Sequence, residues 1–230
     1  MTSAAIMQPT YLPWIGYFAL IDRVDQFVFL DSVQFERRSW QQRNRIKTAT
    51  GVQLLTVPVL KKGRREEAIR SVEISPGSGF VKKHVRAIES AYGRARYFEA
   101  YAPALFALFE REQKLLADLN IAIILWLARA FGITTPSRRS SSMAAEGKRD
   151  ALLVAISQEL GADQYVSPPG AHAYLDGNIA FPAAGIALTW HDYRHPDYPQ
   201  LHGPFLPYMA AIDLLFNAGP DSLATIRRGL

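Results

Sequence analysis

Residues 4–31 read AAIMQPTYLPWIGYFALIDRVDQFVFLD. The opening "AAIM" (4–7) is short and apolar, the pattern of a buried strand. From Trp14 to Arg23, Ile15, Phe18, Ala19 and Ile21 fall near helical spacing and predict a helix. "QFVFLD" (26–31), rich in apolar and aromatic residues, predicts a second strand. Strand, helix and strand in one stretch make a βαβ-like unit. The connecting loop, "QPTYLPW", holds two prolines and large aromatic side chains. A segment built only to pack a core does not need them. In α/β proteins such loops, at the carboxyl ends of strands beside helix N-termini, are where ligand chemistry sits.

The rest of the chain extends this reading. "VQLLTVPVL" (52–60) predicts a third strand and "IRSVEIS" (69–75) a fourth, with the polar loop "KKGRREEA" between them. Residues 79–92 and 98–131 read as helical, with a break between Glu112 and Leu119, and Gly132 stands where a helix C-cap is expected. "ITTPSRRSSS" (133–142) starts as a strand and ends as a polar loop. "GKRDALLVAISQELGA" (147–162) is an amphipathic helix closed by glycine. "DQYVSPPGAHAY" (163–174) is strand, turn and loop, and "GIALTWHDY" (185–193) is a late strand. "PFLPYMAAIDLLFNAG" (204–219) predicts a terminal helix capped by Gly219. There are no internal repeats. The expectation is one α/β domain over residues 1–230. It has a central, mostly parallel sheet, flanking helices and a helical middle portion.

Composition narrows the chemistry. The 230 residues include no cysteine, which removes disulfides, thiol nucleophiles and cysteine metal sites. The N-terminus lacks a basic region followed by an apolar one, so no signal peptide is read. The strongest apolar run, "IAIILWLARAFGI" (121–133), carries Arg129 and is too short to span a bilayer. A cytoplasmic protein without a membrane span is expected, and that run fits burial or pairing in a homodimer equally well. Net charge is +5. The basic residues cluster at Arg37, Arg38, Arg43, Arg45 and Lys47, and again at Lys61, Lys62, Arg64 and Arg65. Such clusters are either a solvated face or a site for phosphate or carboxylate. Nucleic acid is not expected, since no nucleic-acid-binding motif is present.

Candidate functional residues fall in loops next to strands. Gln8, Tyr11, Trp14 and Tyr17 form the first group, with helix core as the competing role for Trp14 and Tyr17. Asp31, Gln34, Arg37, Trp40, Arg43 and Asn44 form the second. Asp31 is either a cap or a carboxylate for an amine or hydroxyl, and Arg43 offers a planar fork to oxyanions. His84 lies on a helix, where a plain surface position competes with a catalytic one. Ser140, Ser141, Ser142, Lys148 and Arg149 form a polar group that reads equally as a flexible turn. His191 and His195 have the spacing of helical metal ligands, but Pro196 and Pro199 argue against the helix such a pair needs, so no metal site is assigned. His195 beside Asp197 is a candidate general base. No Gly-x-Ser-x-Gly elbow, phosphate-binding Gly-Lys loop or His-Glu-x-x-His helix occurs.

The segment "MQPTYLPWIGYFALIDRVDQFVFLDSVQFERRSWQQRNRIKT" resembles the N-terminal signature of the WbqC-like protein family. "HPDYPQ" and "IDLLFNAG" resemble that family's C-terminal signature. The resemblance implies a role in O-antigen or other surface-polysaccharide biosynthesis. For members of the family a glycine transferase activity on a sugar amine has been suggested. A fainter similarity is to the opening of the adenylate-forming nucleotidylyl transferases, of which pantothenate synthetase is the closest parallel. That similarity implies ATP with magnesium, held by a His-x-Gly-His motif. Here the corresponding residues are Trp14, Ile15, Gly16 and Tyr17, without either histidine.

Two functions of different class follow. The first is an aminoacyl transferase acting on an amino sugar or sugar-nucleotide. Asp31, His84 and His195 are then the catalytic candidates, and Gln8, Tyr11, Trp14, Tyr17, Gln34, Trp40, Arg43, Asn44 and Lys148 the binding ones. The second is a non-catalytic protein that holds a nucleotide-linked sugar or recruits a glycan enzyme.

Overall fold

A computed structural model describes residues 1–60, 66–171 and 175–230. Five parallel strands form the central sheet: β1 (Ser3–Met7), β2 (Gln26–Phe29), β5 (Ser137–Arg139), β6 (Gln164–Ser167) and β7 (Ala187–Trp190). Their spatial order is β5-β2-β1-β6-β7. The first strand is thus central, and the chain winds outward from it in both directions. β1 pairs with β2 from Ala4↔Gln26 to Met7↔Phe29 and with β6 at Ser3↔Gln164 and Ala4↔Tyr165.

Period-two alternation divides the strand side chains between two cores. Ala5, Phe27, Phe29 and Val166 enter the larger one. Helix α1 (Ile15–Arg23) and the helical middle, α2 (Phe80–Tyr92), α3 (Phe98–Glu110) and α4 (Leu116–Phe131), pack there. Ile6, Val28 and Tyr165 enter the smaller core, where Leu152, Leu153 and Ile156 of α5 (Asp150–Glu159) meet them. A parallel sheet covered on both faces needs apolar residues in both registers, which explains the short unbroken apolar runs. α4 ends as expected: Gly132, at φ +83°, takes the left-handed position, and the Ile133 amide donates to Ala128 at 2.8 Å.

Three sequence expectations are corrected. "RNRIKT" is a strand, β3 (Arg43–Thr48), antiparallel to β4 (Gly51–Thr56) in a separate two-stranded hairpin. Residues 69–75 do not form a sheet strand. Ile69–Ser71 is a short 3-10 turn, and Glu73 and Ile74 make only isolated bridges to Leu115 and Val59. The terminal helix does not start at residue 204. Residues 204–211 are irregular, and α6 (Ile212–Ala218) follows. Pro204 and Pro207 disfavour a helix there, and the buried Lys47 ammonium holds the segment through the carbonyls of Gly203 (3.3 Å) and Pro204 (2.6 Å). Lys61, Lys62, Arg64 and Arg65, most of the predicted loop between strands, lie outside the described residues, as do residues 172–174. Among the described residues, no helix is long and apolar enough to cross a membrane.

Candidate functional site

A cavity of about 330 Å³ opens at the carboxyl end of β1, where Met7 forms part of its wall. Its aromatic walls come from three places in the chain. Trp14 ends the β1–α1 connection and Tyr17 lies in the first turn of α1, Trp40 precedes β3, and Tyr208 belongs to the irregular segment before α6. Trp40 and Tyr208 are about half exposed, at 49% and 48%, and Tyr208 packs against Trp14 with ring centroids 5.2 Å apart. Arg45 of β3 adds a guanidinium 5.3 Å from the Trp40 ring centroid, a cation–π contact. The arrangement offers π faces and one positive charge at the edge of a parallel sheet, where doubly wound folds place ligands.

Buried amides hold the β1–α1 loop in shape. Asn44 Nδ2 donates to the carbonyls of Tyr11 (3.1 Å) and Leu12 (2.8 Å). Leu12 has φ +44°, a left-handed conformation unfavourable for leucine, so Asn44 fixes a strained residue. Gln41 Nε2 donates to Gln8 Oε1 at 2.7 Å. Asn120 of α4, fully buried, donates to the carbonyls of Pro9 (3.0 Å) and Gln41 (2.7 Å), joining the two loops that flank the cavity. Tyr17 donates to the Gln8 carbonyl at 3.2 Å.

The glycine at position 16 has a local reason. A Cβ built there would lie 2.2 Å from the Trp14 ring, so the indole rests on the first turn of α1. In the nucleotidylyl transferase resemblance that turn faces ATP. Here the chain's own indole lies against that turn, and the motif's two histidines are replaced by Trp14 and Tyr17. Behind Trp14, His195 stacks on the indole with ring centroids 5.8 Å apart.

A second group lies at the carboxyl ends of β2 and β5 and is closed on itself. Asp31 is fully buried. Its carboxylate accepts from Arg139 Nε (2.7 Å), Ser140 Oγ (3.1 Å), the Ser141 amide (2.9 Å) and Ser141 Oγ (2.9 Å). Arg139 Nη1 also donates to Asp118 at 2.6 Å. Burial opposes ionisation of Asp31, but the bonds from Arg139 and Ser141 outweigh it and hold the carboxyl below its usual range.

The histidines are buried but less fully bonded: among the described residues His191 Nδ1 and His195 Nε2 have no hydrogen-bond partner. His84 is buried on α2, its Nδ1 2.7 Å from the Tyr11 hydroxyl, and burial lowers its pKa to about 4. His191, just after β7, sits 3.2 Å from the Gly16 carbonyl and is also lowered to about 4 by burial. Burial lowers His195 too, although its Nδ1 contact with the Pro196 carbonyl, at 2.9 Å, works the other way.

Of the residues singled out from sequence, the cavity brings together Trp14, Tyr17, Trp40 and Asn44. Gln8 and Tyr11 support it through the loop. Arg43 lies two residues before Arg45 on the same face of β3. Asp31, His84, Gln34 and Lys148 do not line it. Gln34 bridges to Ala68, and Lys148 is exposed ahead of α5. Sequence reasoning missed Arg45, Gln41, Asn120 and Tyr208 as parts of the site. The alternation Arg43-x-Arg45-x-Lys47 is the period-two signal that could have found Arg45. Another cavity, about 320 Å³ beside Glu89, Arg94 and His202, lies away from this sheet edge and contains none of the predicted residues.

Fold and cleft together define an α/β chain with a loop-built aromatic cleft at the carboxyl edge of a parallel sheet. The chain belongs to the WbqC-like protein family, whose model matches residues 8–225. It is similar to uncharacterized protein Rv1507c of Mycobacterium tuberculosis (strain ATCC 25618 / H37Rv). The two are 40% identical over 234 residues, covering 99% of this chain and all of that one. No solved structure matches.

Proposed function

We propose that this chain binds a nucleotide-linked amino sugar for surface-polysaccharide biosynthesis, with a ring of the ligand held in the aromatic cleft. The observation that carries the reading is the cavity at the end of β1, which Trp14, Trp40, Tyr208 and Arg45 line together, with the Arg45 guanidinium over Trp40. Aromatic faces stack on sugars and bases, and a guanidinium recognises the phosphates between them. The polysaccharide context comes from the resemblance to the WbqC-like family. Binding is preferred to aminoacyl transfer because Asp31, His84 and His195 do not line the cavity, and Asp31 and His84 are committed to internal contacts. The test is a calorimetric screen of nucleotide-linked amino sugars against wild-type protein and Trp40→Ala. Saturable binding that Trp40→Ala weakens supports the reading. A panel that does not bind, or that binds Trp40→Ala equally well, contradicts it. Glycine-dependent ATP–pyrophosphate exchange would instead favour the transferase.

A further inference from the structure

We infer that Arg45 is the anion-recognition residue of the cleft and that the group it recognises is the diphosphate of a nucleoside diphosphate. The inference rests on the cleft being a ligand site. Arg45 is positioned before any ligand arrives. Its backbone amide donates to Asn44 Oδ1 at 2.9 Å, and its carbonyl accepts from the Ala210 amide at 2.9 Å. Its Nε donates to the Tyr208 carbonyl at 3.2 Å, while the guanidinium lies over Trp40. These contacts leave both terminal amines without a hydrogen bond or ion pair among the described residues. A guanidinium held at Nε and on one face has lost most of its rotamer freedom, so binding an anion requires little further ordering. The two free amines form the fork that bonds a phosphate or carboxylate in bidentate fashion.

A diphosphate is favoured over a lone carboxylate by the strand register. Arg43 stands at the same-face position of β3 two residues away, about 7 Å by strand rise and outside the lining of the cavity, from where a long side chain reaches toward it. A second cation at that distance suits a second phosphate. The chain's net charge of +5 also favours a multiply charged anion. The aromatic walls then receive the base, since every nucleobase presents a π face.

The test titrates wild type, Arg45→Gln, Arg45→Lys and Trp40→Ala by calorimetry. The probes are uridine, cytidine, guanosine and thymidine diphosphates and the matching nucleosides, with glucuronate and glucose as a carboxylate pair. Wild type should prefer at least one diphosphate over its nucleoside by about 10- to 100-fold. Added salt should narrow that preference. Arg45→Gln should lose most of that preference, read as the ratio of diphosphate to nucleoside affinity in the same variant. Arg45→Lys, which keeps the charge without the fork, should recover only part. If Arg45→Gln keeps the full preference, Arg45 is not the anion residue, and the cleft reading survives. If glucuronate is preferred over glucose as strongly as the diphosphate over its nucleoside, the diphosphate assignment is overturned. If no probe binds wild type, or Trp40→Ala changes nothing, the cleft reading fails and this inference with it.

Discussion

Two groups at the carboxyl edge of the sheet look alike in sequence and differ in structure. After β1, and before and within β3, stand Trp14, Trp40 and Arg45. After β2 and at the end of β5 stand Asp31, Arg139, Ser140 and Ser141. Both combine charged and polar residues in strand-end loops. In the second group the donors and acceptors meet one another, and Asp31 alone accepts four hydrogen bonds. In the first, an arginine fork and half-exposed aromatic faces meet a cavity. The difference teaches that availability, rather than residue type, separates a candidate binding site from a structural staple. A buried charge whose every lone pair is occupied holds strands together; a fixed charge with open donors waits for a ligand.

The contrast can be broken most directly at Asp31. Asp31→Ala removes the acceptor shared by Arg139, Ser140 and Ser141, and should cost about 3–5 kcal/mol in denaturant unfolding. Ligand affinity of the folded fraction should not change. A folded Asp31→Ala protein that binds normally but has lost a measurable transfer activity would turn the staple into a catalytic group.

The next effect is on pH dependence. His84 and His191 are held neutral by burial, with pKa values of about 4 against an ordinary 6.5. Between those values the unfolded chain binds protons that the folded chain does not. Stability is therefore full above about pH 6.5 and falls as pH drops toward 4, by on the order of 3 kcal/mol per histidine. Lowered carboxyls such as Asp31 act in the same direction at lower pH, whereas Asp213, raised by burial, opposes it. Unfolding measured across pH 4–7 gives the slope, and His84→Gln should make it shallower. An unchanged slope would mean that His84 is not held neutral.

Gly16→Ala sharpens the description of the cleft wall. The added methyl would overlap the Trp14 ring, displacing the indole at about 1–3 kcal/mol. Ligand binding should weaken with it, and a crystal structure of the variant would show whether the indole moves. Trp40→Ala lies at the small end for stability, within about 0.5 kcal/mol, because the residue is half exposed. Its effect should appear in binding alone. A large stability loss would mean that Trp40 is a packing residue.

Much of this fold was legible in the sequence. β1, α1 and β2 were readable from short apolar runs and helical spacing, because a sheet buried on both faces demands such runs. The helical middle and the Gly132 cap were readable for similar local reasons. β3 was not. Arg43, Arg45 and Lys47 give one face of it the composition of a polar loop, although Lys47 is buried, and the alternation shows only once the strand is paired. Residues 204–211 misled in the other direction, being apolar enough to suggest a helix although Lys47, remote in sequence, fixes them otherwise. The site was half legible. Aromatic residues beside prolines pointed to the β1–α1 loop. Asn120 and Gln41 look like any other amides until the fold brings them to the loop carbonyl of Pro9 and the side chain of Gln8. Asp31 had the residue type of a catalytic carboxylate, but its saturation is visible only in three dimensions.

The central claim is that the cleft holds a ligand ring, and the chain's four tryptophans test it within one sample. Trp14 and Trp40 line the cleft; Trp126 lies on α4 and Trp190 at the end of β7. The indole N–H signals in a nitrogen-15 correlation spectrum, assigned by single substitutions, would be followed during titration with UDP-N-acetylglucosamine, which carries a base, a diphosphate and an amino sugar. The account predicts saturable shifts of Trp14 and Trp40, with Trp126 and Trp190 unmoved. Shifts confined to Trp126 or Trp190, or none at saturating ligand, would contradict it.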